Sequence, residues 1–194
     1  MRRMLQVNYP ITLVIGVVVA VAVAVVHGLT LETVELIAFA GILLHASLVD
    51  LRERRIPNSC IIAVLAVRIA YLIAALAFGW LDLQAIGYYV FSACAIGVAL
   101  IAIALIADKM FGRESMGGGD LKLFFVAGLY FGWQQGLAVV LLSCVFGIAV
   151  GLLVGRNDGE YNGDQELLKR AIPFGPPIAA ACIVVMIGGG PVFM

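Results

Sequence analysis

Seven long apolar runs, joined by short polar connections, constrain this chain more than any other feature. They cover 10–27, 33–50, 57–78, 84–107, 119–133, 135–155 and 172–190. A helix needs roughly 17–25 mostly apolar residues to cross the hydrocarbon of a bilayer, and all but the fifth run reach that length. The fifth rises only about 22 Å at about 1.5 Å per residue, which leaves its Asp120 end below the membrane surface or in a water-filled recess. The chain is 63% hydrophobic and 12% charged, whereas a soluble domain is about half apolar and about a quarter charged. No water-soluble core could hide that much apolar surface. The runs are too long for strands and do not alternate, and their many Gly and Ala residues suit close helix packing in lipid. The expected fold is an all-α, polytopic transmembrane bundle of about seven spans. It divides into an N-terminal transmembrane helix, 1–32, and a membrane domain, 33–194, with a six-helix core.

The cations give the orientation. Arg2 and Arg3 precede the first run, and Arg52, Arg54 and Arg55 follow the second. Lys109 and Arg113 follow the fourth, Lys122 opens the fifth, and Arg156, Lys169 and Arg170 lie between the last two. With seven crossings all of these fall on one side, and the connections at 28–32, 79–83 and around 134 contain none. Lys and Arg accumulate on the cytoplasmic side. The pattern therefore predicts the N-terminus, Asp50 and Asp120 at the cytoplasmic face of the cell membrane. The first run is long for a signal-peptide core and lacks a good cleavage pattern near His27-Gly28, so it is read as a retained span. The formal net charge of zero offers no basic field for nucleic acid. Cys60, Cys94, Cys144 and Cys182 form no C-x-x-C pair, which argues against a zinc or redox motif and for small core residues.

Two carboxylates stand out. Asp50 ends the second run, in Asp50-Leu51-Arg52-Glu53-Arg54-Arg55-Ile56-Pro57-Asn58, and Asp120 closes Gly117-Gly118-Gly119-Asp120. Charges at membrane helix ends are costly unless they serve a purpose. Asp120 is also suited to the start of a helix, where the dipole welcomes it. Asp50 lies at a helix C-terminus, where capping does not account for a carboxylate. Two aspartates within a few ångströms share a proton, so one can take a proton from water while the other polarises a carbonyl. Gly117, Gly118 and Gly119 carry no side chains, which lets a substrate backbone approach Asp120.

The Asp50…Ile56-Pro57-Asn58 segment, the Gly-x-Gly-Asp of Gly117–Asp120 followed by Leu121-Lys122-Leu123, and Ile172-Pro173-Phe174-Gly175-Pro176 occur in that order. In these features the chain resembles the type IV prepilin peptidases, GxGD aspartyl proteases of the membrane, over about residues 33–190. The resemblance implies that Asp50 and Asp120 are catalytic. Gly117, Gly118, Gly119, Lys122, Pro173 and Gly175 are read as substrate-binding or supporting positions. The resemblance implies removal of the short basic leader from prepilins, of the type IV or Flp kind, at the cytoplasmic membrane face, with no metal or organic cofactor. Prepilin substrates and the lipid bilayer are the expected partners. Many members of that family carry paired C-x-x-C motifs linked with methylation; this chain has none, so methyltransferase activity is not carried over. The compact form resembles members serving tight-adherence pili, or archaeal preflagellin peptidases.

Other features read as structural. Arg68, in mid-span, must face the bundle interior and find a partner, with Glu35 a candidate. His45 and Asp50 are about 140° apart around a helix, so His45 is expected to pack or hydrogen-bond elsewhere, and His27 to be inert. In the polar stretch 156–170, Asp158, Glu160, Asp164 and Glu166 could attract a basic leader. The competing classes are a carboxylate-based transporter, which should show internal repeats, and a non-catalytic scaffold for a secretion machine.

Overall fold

The computed structural model describes residues 9–112, 116–157 and 173–188. These form six helices: α1 (Tyr9–His27), α2 (Leu31–Glu53), α3 (Asn58–Ala77), α4 (Leu83–Phe111), α5 (Gly118–Asn157) and α6 (Gly175–Gly188). There is no strand among the described residues. The expected all-helical bundle is therefore what the chain forms.

Local chemistry sets the helix boundaries. Thr30 caps α2: its Oγ1 accepts from the Thr33 amide at 3.2 Å, and the Thr33 hydroxyl donates to the Gly28 carbonyl at 2.6 Å. α2 ends where Arg54 enters the left-handed region (φ 55°) and its amide returns to the Asp50 carbonyl at 2.8 Å. Pro57 then prevents helix from continuing through Ile56 and supplies a φ of −65° ahead of α3. Asp82 caps α4 by accepting from the Ala85 amide at 2.7 Å.

α5 holds two of the predicted runs, 119–133 and 135–155, and is interrupted at Gly132 (φ 73°, ψ −170°). A Cβ on Gly136 would lie 3.3 Å from the Gly128 Cα. Residues eight apart in a straight helix are separated by about 12 Å, so the chain folds back on itself at Gly132. Glycines at 128, 132 and 136 make that reversal possible. The first supplies close contact with α4, where a Cβ would meet the Ala93 Cα at 2.9 Å. The second supplies positive φ, and the third the approach of the two halves.

Arg68 is bound to this reversal. Expected to need a partner, it is 1% exposed and its Nη1 donates to both Glu35 carboxylate oxygens at 3.1 Å. Its Nε donates to the Leu129 carbonyl at 3.0 Å and its Nη2 to the Tyr130 carbonyl at 3.3 Å. Those carbonyls close the first half of α5, where no following turn supplies their amides. The guanidinium thus satisfies a helix end inside the bundle and sits at the negative pole of its dipole. The rings of Tyr71, Tyr89 and Tyr130 surround it, their centroids 5.5, 4.8 and 4.9 Å from its central carbon. Tyr130 in turn stacks on Phe39 at 4.0 Å and donates to the Val64 carbonyl at 3.0 Å.

One apolar core runs through the bundle. It includes Val19 and Val23 of α1, Leu36 and Phe39 of α2, Val64 of α3, Ile96 of α4, Phe124 of α5 and Ile178 of α6. Many large apolar side chains face outward instead, Leu105, Leu141 and Val145 among them. That inversion suits a chain solvated by lipid. α2, α3, α4 and α5 are each long and apolar enough to cross a membrane; α1 and α6 are shorter apolar helices. The cysteines depart in part from expectation: Cys60 and Cys182 are buried core residues, whereas Cys94 and Cys144 face outward.

Candidate active site

The C-terminal end of α2, the start of α5 and the start of α6 meet at one end of the bundle. Asp50, in the last turn of α2, is 5% exposed. Its Oδ2 accepts from the Gly175 amide at 2.7 Å. Gly175 is the first residue of α6, so this amide is one that the helix itself leaves unpaired. The sequence reading of Asp50 is corrected here. It ends its own helix, but its carboxylate also caps another, at the positive pole of α6. Ser47, one turn earlier, bridges the same elements: its hydroxyl oxygen lies 2.8 Å from the Leu43 carbonyl and 3.3 Å from that of Gly175.

Gly175 allows this approach. A Cβ there would stand 2.8 Å from Asp50 Oδ2 and 3.0 Å from Asp50 Cβ. Pro173 precedes the helix as non-helical backbone. Pro176 and Pro177 fall in its first turn, where a missing amide hydrogen costs nothing. The sequence around Gly175 therefore starts a helix abruptly and presents a bare amide to Asp50.

Asp120 is the third residue of α5 and is half-buried. Its carboxylate takes a hydrogen bond from the Gly117 backbone. A third-position acid reaching back to the amide before the helix is one half of a capping box. The Asp120 and Leu121 amides return to the Gly117 carbonyl at 3.1 and 3.3 Å. Asp120 and Asp50 lie near enough for their charges to interact. The two carboxylates thus share one region while each is held by a different glycine amide.

The glycines before Asp120 have separate roles. A Cβ on Gly117 would stand 3.1 Å from Asp120 Oδ2, so Gly117 packs against the carboxylate. A Cβ on Gly119 would meet the Ile56 Cβ at 3.0 Å, so Gly119 seats the α2–α3 turn against the start of α5. Gly118 is exposed, and a Cβ there would meet nothing within 4 Å among the described residues. Lys122 points to the neighbouring helix, its Nζ donating to Asn58 Oδ1 at 2.9 Å. That bond ties the Pro57-Asn58 turn to the Asp120 turn. The structure thus brings together Asp50 with Gly175, Asp120 with Gly117, and Lys122 with Asn58.

The remaining sequence expectations fare unevenly. His45 is exposed on α2 rather than packed. His27 is not idle: its Nε2 pairs with the Met186 carbonyl at 2.8 Å, near the end of α6. The acidic stretch with Asp158, Glu160, Asp164 and Glu166 lies outside the described residues, as do Arg2, Arg3, Arg113, Lys169 and Arg170. No group of three or more His, Cys, Asp or Glu placed to hold a metal ion occurs among the described residues.

Comparison with known proteins adds a lineage to this geometry. Residues 37–152 match the type IV leader peptidase family. The prepilin leader peptidase/N-methyltransferase of Pseudomonas putida is 28% identical, over 99% of this chain and 62% of its own length. Its namesake in Aeromonas hydrophila is 27% identical over 94% of this chain and 59% of its own length. That of Legionella pneumophila is 24% identical over 95% and 60%. The chain therefore spans about 60% of the length of these curated relatives. No solved structure matches it. The family match takes in more than half of the chain and both aspartates, and the chain belongs to the type IV leader peptidase family.

Proposed function

We propose that the chain is a membrane aspartyl endopeptidase that removes the leader from type IV prepilins, of the Flp kind, with Asp50 and Asp120 as its catalytic pair. The observation that supports this reading is that two carboxylates on separate helices lie near enough for their charges to interact, beside a run of glycines. One carboxylate takes a proton from the attacking water. The other, protonated, polarises the scissile carbonyl and then supports the leaving amine. The protons belong to the pair rather than to either residue. Gly175 and Gly117 hold the two side chains by their amides. The exposed Gly118 gives an extended substrate backbone room to approach. Two carboxylates and water suffice for this reaction.

On this reading the bundle crosses the membrane seven times, the two halves of α5 counting as separate crossings. The N-terminus and both aspartates face the cytoplasm, as the cation pattern predicts. α1 is an added helix packed on the peptidase domain, 33–194, through Val19 and Val23. The prepilin's apolar helix docks in lipid beside the bundle, and its leader hangs in the cytoplasm. The methyltransferase activity in the relatives' names is not carried over.

The test is cleavage of a prepilin-like substrate by the purified chain in detergent, comparing the unaltered protein with Asp50→Asn and Asp120→Asn. Both variants should keep their helical circular dichroism and lose the leader cut by at least a thousandfold, in line with removal of an essential acid or base. Persistent cut in either folded variant excludes the pair. If the unaltered chain cuts no member of a substrate panel, the transporter and scaffold readings return, and ion flux through liposomes separates them.

A further inference from the structure

The end of the bundle away from Asp50 carries a second cluster of polar groups. A cleft of about 440 Å³ opens there, lined by Thr30, Leu31, Glu32, Tyr71, Trp80 and Leu81. That volume lies within the range of about 300–1,000 Å³ typical of small-molecule sites. Glu32 is half-buried in its wall, and its Oε1 is fully buried with no hydrogen-bond partner among the described residues. The nearby nitrogen groups have other partners. Arg68 spends its fork on Glu35 and on the Leu129 and Tyr130 carbonyls. The His27 ring nitrogen pairs with the Met186 carbonyl. Glu35, the other carboxylate nearby, is held by Arg68. A buried carboxylate oxygen without a donor is costly, so the Glu32 carboxylate gains from a cation brought into the cleft that it lines.

The lining indicates what kind of donor fits. A carboxylate in a cleft that Trp80 and Tyr71 also line is a setting for an ammonium group, bound by charge and by the aromatic quadrupole. Among the described residues no Lys or Arg lines the cleft, which favours a cation over an anion. Its apolar lining projects outward: Trp80 is 57% exposed and Leu31 44%. Trp80 stacks on the equally outward Phe78 at 5.2 Å. Aromatic rings at the end of membrane helices sit at headgroup level. The location therefore favours a lipid over a soluble amine.

We infer that this cleft binds the ammonium headgroup of a phospholipid such as phosphatidylethanolamine, with Glu32 as its anionic partner. The site lies on the α1–α2 and α3–α4 connections and uses none of the residues assigned to cleavage. Glu32→Gln should therefore leave prepilin cleavage unchanged, so failure of one reading does not carry the other with it.

The experiment uses tryptophan fluorescence. The chain has two tryptophans, and Trp133→Phe leaves Trp80 as the sole reporter inside the cleft. The protein is placed in phosphatidylglycerol bilayers with increasing brominated phosphatidylethanolamine. Selective binding shows as quenching about two- to fivefold stronger than for brominated phosphatidylglycerol. Glu32→Gln should bring the ratio to about one, and so should N-acetylated phosphatidylethanolamine, which keeps the shape but loses the charge. Equal quenching by all headgroups, or a preference that survives both changes, overturns the proposal. Displacement of the brominated lipid by millimolar ethanolamine overturns the lipid assignment. Native mass spectrometry of the unaltered chain, released from mixed-lipid nanodiscs, makes the same comparison without substitutions. Retention of phosphatidylethanolamine over its N-acetyl form is the expected result, and equal retention refutes the site.

Discussion

Replacing Gly175 with Ala is the most direct test of how the site is held. The added Cβ would stand 2.8 Å from Asp50 Oδ2 and 3.0 Å from Asp50 Cβ. Rotating the carboxylate could relieve the first contact. It cannot relieve the second, because the Asp50 Cβ is fixed to the α2 backbone. Carbon atoms pack at about 3.5–4.0 Å, so the start of α6 must retreat from α2 by about 0.5–1 Å. The Gly175 amide then moves from 2.7 Å to the edge of hydrogen-bonding range or beyond. Losing a hydrogen bond to a charged group costs about 1.5–3 kcal/mol, and a misplacement of about 1 Å at a reacting group can cost about a hundredfold in rate. Gly175→Ala should therefore lower kcat for leader cleavage about a hundredfold with little change in KM. Gly41→Ala is the matched control: it lies on α2, and a Cβ there would meet nothing within 4 Å. That control should keep full activity and gain up to about 1 kcal/mol of helix stability. The reasoning fails if Gly175→Ala keeps kcat within twofold of the unaltered protein, or if Gly41→Ala loses as much.

Two further outcomes concern the reversal in α5. Arg68→Met leaves Glu35 and the Leu129 and Tyr130 carbonyls without their donor, and should destabilise the bundle by about 3–5 kcal/mol. Adding Glu35→Gln should recover part of that loss in thermal unfolding in detergent, and no recovery would refute the pairing argument. Gly128→Ala and Gly136→Ala should both destabilise, by about 1–3 kcal/mol, but only the second should be rescued by trimming Ile96. At Gly136 the nearest obstacle is the Ile96 Cδ1, at 2.6 Å, whereas at Gly128 it is the Ala93 Cα, at 2.9 Å, which no side-chain change removes. Rescue of both by Ile96→Val would contradict that distinction.

The legible parts of this chain are those written in local pattern. Apolar run length gave helices at each predicted segment. The Arg54–Pro57 stretch announced the turn between α2 and α3, because Pro57 cannot continue a helix and disfavours helical backbone at Ile56. The need of Arg68 for a partner followed from the cost of a charge in mid-span, and Glu35 answers it. The partner of Asp50 had no such signal. Gly175 is 125 positions away, and nothing around Asp50 shows that another helix begins beside it. Reasoning about its own helix dipole therefore pointed the wrong way. His27 was misjudged for the same reason, since its bond to the Met186 carbonyl spans 159 positions. The spacing of Gly128, Gly132 and Gly136 was the readable sign of where α5 turns, two residues before the connection inferred around 134.

The two halves of the α5 hairpin explain why an arginine is worth burying. A chain that reverses within a bundle must satisfy the last carbonyls of one helix and the first amides of the next where they are buried. Here Arg68 supplies donors to Leu129 and Tyr130, and the Tyr88 hydroxyl accepts from the Trp133 amide at 3.3 Å. Glu35 then neutralises the arginine. Each step is forced by the one before it: the reversal exposes carbonyls, the carbonyls attract a guanidinium, and the guanidinium requires a carboxylate. The first half of α5 runs from this anchored end to Asp120 in about three turns. Fixing the reversal therefore fixes how far along the bundle Asp120 stands relative to Asp50, whose own position is set from the other side by Gly175. Loosening the anchor should separate the aspartates before it unfolds the helices. In Arg68→Met, leader cleavage should accordingly fall at temperatures where the helical signal is still intact. Loss of both signals at one temperature would show that the anchor serves stability alone.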